Sequence, residues 1–203
     1  MAIPEINGHQ FTYEQFLGEV RLLVAAGKTT GHKQTPELAG YTSLNLRRME
    51  RLHKTLKLQP ALIECMGLIE RPQRWIVITE AWCGDSAQCL PVIGHLAAVA
   101  PAKVDLRVIL RDENPHWMEL YHTNGSKSIP KLVAFDSAGQ EVFRWGPRPA
   151  EAQQLLMAWK ADPDAKSFEE FERELHTWYT RDKTRATQRE LLKEISSSMQ
   201  NRH

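Results

Sequence analysis

The stretch RWIVITEAWCGDSAQCLP, Arg74–Pro91, changes its period in the middle. Its first part, Arg74 to Trp82, is an apolar run rich in β-branched side chains, the composition of a short buried strand. From Ser86 onward, SAQCLPVIGHLAAVA sets Leu90, Ile93, Leu96 and Ala97 at helical spacing. A second strand-like run, VDLRVIL (Val104–Leu110), follows, so strand, helix and strand form a parallel βαβ unit. The stretch WCGDSAQC, Trp82–Cys89, inside this unit holds two of the chain's three cysteines, Cys83 and Cys89. A dithiol motif would read Cys-x-x-Cys, but the residue three after Cys83 is Ser86.

Working outward, ENPHWMELYHT (Glu113–Thr123) reads as a helix, and KLVAFDSAGQEVFRW (Lys131–Trp145) as two strands around a turn containing Gly139. GPRPAEAQQLLMAWK then opens a helix with Pro149 in its first turn, where a missing N–H costs least. The order is β-α-β-α-β-β-α. Upstream, FTYEQFLGEVRLLVAAG (Phe11–Gly27) spaces Phe16, Val20, Leu23 and Val24 as one helix face, and Gly27 is a stop. GKTTGHKQTPELAGYT reads as a loop, SLNLRRMERLHKTL as a second helix on Leu44, Met49, Leu52 and Leu56, and PALIECMGLI as a short third. The tail from Phe168 to Ile195 reads as one or two amphipathic helices with a stripe of Phe168, Phe171, Leu175, Trp178 and Tyr179. The expected organisation is an N-terminal helical extension (1–70), an α/β domain (71–160) and a C-terminal helical tail (161–203).

The chain has 203 residues, enough for a proper core without staples. With 26 basic and 25 acidic residues its net charge is +1, which excludes an electrostatic footprint for nucleic acid or an anionic membrane. The N-terminal MAIPEINGHQ has neither a basic nor an apolar segment, and no window approaches the roughly 20 apolar residues of a membrane span. A soluble, unexported protein is expected. Three cysteines are too few and too uneven for a disulfide framework, so the expected location is a reducing cytoplasm.

Cys83 lies where the first strand hands over to its helix. The first turn of a helix offers unpaired N–H groups and the positive end of the dipole, which stabilise a thiolate and lower a thiol pKa from about 8.5 toward neutrality. Cys83 is therefore the candidate nucleophile. Ser86, one turn on, is placed to donate a hydrogen bond to that thiolate. Asp85 works against it, because an adjacent carboxylate penalises an anion.

On these residues the chain resembles the thioredoxin superfamily, over roughly Arg71 to Lys160. Four features coincide in order: Trp82 before the cysteine, Pro91 eight residues after it, the Ile129–Pro130 pair of SIPKL, and Gly146 after the last strand. The resemblance implies a thioredoxin-like α/β fold, a central mixed sheet flanked by helices. It also implies that Pro130 is a cis-proline facing the thiol. A cis X-Pro bond leaves the backbone of Ile129 open to pair with an extended substrate. Trp82, Gly84, Asp85, Ile129 and Pro130 are then the expected substrate-binding residues, with Cys83 and Ser86 catalytic. WCGD, RDEN, SIPKL and WGPRP, with the helices before them, are similar to uncharacterised bacterial thioredoxin-family proteins carrying an N-terminal helical extension.

The sequence also departs from that pattern. Thioredoxins proper place a buried carboxylate six residues before the nucleophile to deprotonate the second thiol; here that position is Val77. Without a thiol at Ser86 such a base has nothing to act on. Cys89 does not replace it. Six helical residues separate it from Cys83 by about 9 Å of rise and about 600° of rotation, and a disulfide needs Cα atoms within about 7 Å. Cys89, beside Leu90 and Ile93, is expected as a small buried residue, and Cys65 likewise. Glu80 is expected to be solvated or hydrogen-bonded, and Arg111, Asp112 and Glu113 to begin a capped helix near the site.

No Cys and His set has zinc spacing, His116 and His122 read as residues of a surface helix, and TNGSKS is not a phosphate loop. No metal or cofactor is expected. The leading expectation is a monothiol thioredoxin-like protein in which Cys83 forms a mixed disulfide with a protein or low-molecular-weight substrate and an external thiol resolves it. Two alternatives stand beside it. One is a thioredoxin-fold binding or scaffold module without turnover. The other is a glutathione and iron–sulfur protein, since Cys-Gly-Asp-Ser is similar to the motif of monothiol glutaredoxins. Oligomeric state is not legible.

Overall fold

The computed structural model of the protein describes residues 3–200. Three helices come first: α1 (Tyr13–Ala25), α2 (Pro36–Thr55) and α3 (Pro60–Gly67). The α/β part runs β1 (Gln73–Thr79), α4 (Gly84–Val99), β2 (Val104–Leu110), α5 (Pro115–Leu120), β3 (Lys131–Asp136), β4 (Glu141–Trp145) and α6 (Ala150–Ala161). Two helices, α7 (Phe168–Asp182) and α8 (Arg185–Gln200), close the chain.

The sheet order is β2-β1-β3-β4. β1 runs parallel to β2, pairing Val77 with Val108, and antiparallel to β3, pairing Val77 with Leu132. This is the mixed sheet between helices expected of the α/β class, with helical extensions at both ends. Because both faces are covered, β1 is continuously apolar from Trp75 to Ile78 instead of alternating with polar residues. Its side chains still alternate in direction. Trp75 and Val77 enter a first core with Leu132, Ala134 and the apolar residues of α1, α3, α4, α7 and α8. Ile76 and Ile78 enter a second, smaller core with Val133, Phe135 and Trp117 of α5. The segment before α1 straps this second core. The carbonyl of Glu5 accepts from the indole of Trp117 at 2.9 Å and lies 2.7 Å from Nε2 of His116, so His116 is an anchor and not a plain surface residue.

The first core draws on all three expected segments, 1–70, 71–160 and 161–203. α4 is its centre, buried along most of its length with α2 beside it and α3 and α8 touching it. The tail stripe divides. Phe171, Leu175 and Tyr179 are buried, while Phe168 is half exposed, its ring tilted against Trp159. The tail breaks into two helices at Lys183 and Thr184, both with positive φ.

Three local expectations are corrected. The loop read from Gly27 to Thr42 ends at Thr35, whose hydroxyl accepts from the N–H of Leu38 and so caps α2, with Pro36 in its first turn. The strand read to Trp82 stops at Thr79, because the chain must turn there to enter α4. Pro149 caps α6 from outside instead of sitting within it.

If the tail is part of the core, removing one of its buried side chains is expensive. Leu191 of α8 is fully buried, so Leu191→Ala should cost about 3 kcal/mol in urea unfolding. A loss under about 1 kcal/mol would mark the tail as peripheral.

Candidate functional site

The turn after β1 sets the site. The backbone N–H of Cys83 donates to the carbonyl of Glu80 at 3.1 Å, and its carbonyl accepts from Ala87 at 3.2 Å, making Cys83 the N-cap of α4. Its side chain does not cap the helix. The thiol donates to the carbonyl of Ile129 at 3.3 Å. The Ile129–Pro130 bond is cis, as is Gly146–Pro147. These two segments meet. Gly146 has φ +109°, and a Cβ there would lie 2.4 Å from the carbonyl oxygen of Pro130, so a glycine is required. The ammonium of buried Lys131 donates to Thr123 Oγ1 at 2.6 Å and to the carbonyl of Gly146 at 3.0 Å, tying them together. Burial, then Arg144, pulls the Lys131 pKa down to about 8.

Trp82 is half buried, with the guanidinium of Arg111 4.8 Å above its ring. Arg111 also pairs with Asp112, whose N–H donates to Oε1 of Glu80 at 2.9 Å. Glu80 is fully buried, and burial pushes its carboxyl up. It is hydrogen-bonded as expected, but not solvated.

The thiol is the main correction. Burial, then the charge of Asp85, pushes the Cys83 pKa up to about 11, against the pull of the Ser86 hydroxyl and N–H and of Arg148. The helix terminus and Ser86 act in the expected direction, and desolvation outweighs them. Thr79 Oγ1 donates to Ser86 Oγ at 2.6 Å, which leaves the Ser86 proton free to point at the sulfur.

Asp85 and Gly84, expected to bind substrate, lie under the extensions. The carboxylate of Asp85 pairs with Arg148 at 2.6 Å and accepts from the phenol of Tyr179 at 2.6 Å. A second nitrogen of Arg148 donates to Gln153 at 2.9 Å. Above Gly84, a Cβ would meet Nε2 of His176 at 2.8 Å, with Arg48 Nη1 3.6 Å away. The first turn of α4 is thus covered by α7 and α2. Sequence reasoning missed Arg148, Tyr179, His176 and Arg48. For Arg148 a signal existed: a carboxylate in the first turn of a buried helix needs a cation, and WGPRP carries one. Tyr179 was hidden in a stripe that reads as apolar packing.

Cys89 is fully buried, its sulfur 3.8 Å from the Tyr179 hydroxyl and 3.9 Å from that of Thr187. Burial pushes its thiol well above the ordinary range. Cys65 is buried, and all three cysteines are free. Val77 sits in the first core. Among the described residues no three His, Cys, Asp or Glu side chains converge as a metal-ligand group, and no helix is long and apolar enough to cross a membrane.

Comparisons with known proteins bear on the fold. A family model described as Thioredoxin matches residues 31–162. A crystal structure of a protein of unknown function from Pseudomonas aeruginosa aligns with TM-score 0.53 at 20% identity, over 93% of this chain and 99% of that one. An HIV epitope-scaffold aligns with TM-score 0.49 at 22% identity, over 87% of this chain and 97% of that one. No curated protein matches.

Three outcomes are expected from the charges around the first turn of α4. Asp85→Asn leaves Arg148 buried without its anion and should cost about 3 kcal/mol. The same change removes the nearest negative charge from Cys83 and keeps the positive one, so alkylation of Cys83 by iodoacetamide at fixed pH should speed up. An unchanged alkylation rate would show that Asp85 does not act on the thiol. His176 is held neutral, its pKa pulled from 6.5 down to about 4 by burial and then Arg48. The unfolded chain takes up that proton more readily, so stability should be full above about 6.5 and fall as pH drops toward 4. His176→Gln should flatten that part of the profile; an identical slope in the variant would assign it to other groups.

Proposed function

The chain belongs to the thioredoxin family, and we propose that it carries out monothiol thiol–disulfide exchange at Cys83. The observation that carries the reading is the position of the sulfur, at the N-cap of α4 and 3.3 Å from the carbonyl of Ile129 beside Pro130. That carbonyl holds the thiol proton in the resting state. On ionisation the proton passes to solvent and the Ser86 hydroxyl and N–H receive the thiolate.

The thiolate attacks one sulfur of a disulfide R–S–S–R′. A Cys83–S–S–R bond forms, the S–S bond of the substrate breaks, and R′–S leaves as a thiolate with the electron pair of that bond. Ser86 stands where a second thiol would close the cycle, and Cys89 is buried against Tyr179 and Thr187. An external thiol therefore attacks the R sulfur and returns Cys83 as thiolate. Trp82, Ile129 and Pro130 line the approach. The substrate class is a protein or low-molecular-weight disulfide in a reducing compartment such as a bacterial cytoplasm.

With the thiol pKa at about 11, roughly one Cys83 in ten thousand is ionised at pH 7. This burial favours a second reading, a thioredoxin-fold module that docks a partner without turnover. The two separate cleanly. Exchange predicts that incubation with glutathione disulfide adds one glutathione mass to Cys83, at a rate rising about tenfold per pH unit toward pH 11. Cys83→Ser should abolish the adduct and the cellular function together. If function survives Cys83→Ser, the docking reading stands and the exchange reading falls.

A further inference from the structure

The N- and C-terminal extensions build a feature that the exchange reading does not use. A groove of about 620 Å³ runs between α2 and α7 and reaches α4 at Gln88. Four arginines line it: Arg48 and Arg51 from α2, Arg173 and Arg181 from α7. Two glutamates answer them, and both are engaged. Glu169 pairs with Arg173 at 3.4 Å, and Glu172 accepts from the Tyr41 hydroxyl at 3.0 Å. Arg48, Arg51 and Arg181 form no ion pair among the described residues.

We propose that this groove binds a short acidic peptide segment of a protein partner. The charges argue for an extended ligand with several carboxylates. Arg173 and Arg181 are eight residues apart on one helix, about 12 Å of rise, and Arg48 and Arg51 face them from the other. A single small anion cannot span them. A nucleic-acid backbone needs a basic surface extending well beyond the groove, and the chain's net charge of +1 provides none. Half-exposed Leu44 offers an apolar contact beside the arginines, which suits a peptide.

Arg48 is the built part of the groove. It is half buried, and its Nη1 donates to Oδ1 of fully buried Asn45 at 2.8 Å. Asn45 in turn donates to the carbonyl of Ala81 at 3.0 Å, two residues before Cys83. The groove is thus joined by two hydrogen bonds to the loop that carries Trp82 and Cys83. A peptide held there lies beside the first turn of α4, next to His176 and Gln88, which meet at 3.3 Å.

Binding needs no disulfide, so the test is independent of the chemistry at Cys83. The full chain is titrated with an acetylated, amidated tetraglutamate peptide, with the matching tetralysine peptide, and with inorganic phosphate, each followed by amide chemical shifts and calorimetry. The glutamate peptide should shift amides of α2 and α7 around the groove, with affinity falling as salt rises. Arg51→Ala with Arg181→Ala, two changes at the surface, should weaken it about fivefold, the worth of two exposed ion pairs. Equal binding of the lysine peptide would overturn the proposal. Phosphate competing at the same concentration as the peptide would reduce the groove to a general anion site and overturn it as well. So would shifts confined to other elements, or no shifts at all. An active Cys83 with an idle groove, and an occupied groove with an inert Cys83, are distinguishable results.

Discussion

A carboxylate buried two residues after a cysteine dominates the arrangement of this molecule. Asp85 lies in the first turn of α4, out of water, and an ionised carboxylate there is tolerated only with a cation and further donors around it. Arg148 supplies the cation from the loop after β4, and Tyr179 supplies the donor from α7. One buried charge therefore draws together three parts of the chain that are far apart in sequence. The first turn of α4 becomes a junction between the sheet, the loop of Gly146 and Pro147, and the C-terminal tail.

The same junction sets the character of the thiol. A helix N-terminus with a Ser86 hydroxyl favours an anion, while burial and the Asp85 charge oppose it, and the opposing side wins. The result is a cysteine held as a thiol against the carbonyl of Ile129. The extensions take part in this directly. Asn45 of α2 grips the carbonyl of Ala81, Thr30 accepts from the N–H of the same residue at 2.8 Å, and His176 of α7 sits over Gly84. Helices outside the α/β core shape its active-site turn from above and from the side.

Much of this was legible in the sequence, and the reason is locality. The β-branched run after Arg74, the apolar spacing of Leu90, Ile93 and Leu96, and the turn at Gly139 depend on neighbours within a few residues, so strands and helices emerge at nearly their true bounds. Cys83 at a strand-to-helix turn was readable in the same way, whereas Ile129–Pro130 opposite it, 46 residues away, came only from the resemblance to the thioredoxin superfamily. What failed were inferences about exposure. That α7 and α2 lie over Gly84 and Asp85 was not foreseen, since no local signal reports which helix will lie on top, whereas the segment from Pro36 read as loop although Thr35 before Pro36 is a local helix-start signal.

By itself the sequence determined the α/β class, the order of elements, the single cysteine at the turn and the loss of a second thiol at Ser86. Periodicity and motif spacing are local properties, and they survive without knowledge of packing. Tertiary structure alone decided that α7 and α2 cover the start of α4, that Arg148 and Tyr179 engage Asp85, and that Cys83 is kept as a thiol. Burial is a property of what lies around a residue, and the groups that surround Cys83 come from the whole length of the chain.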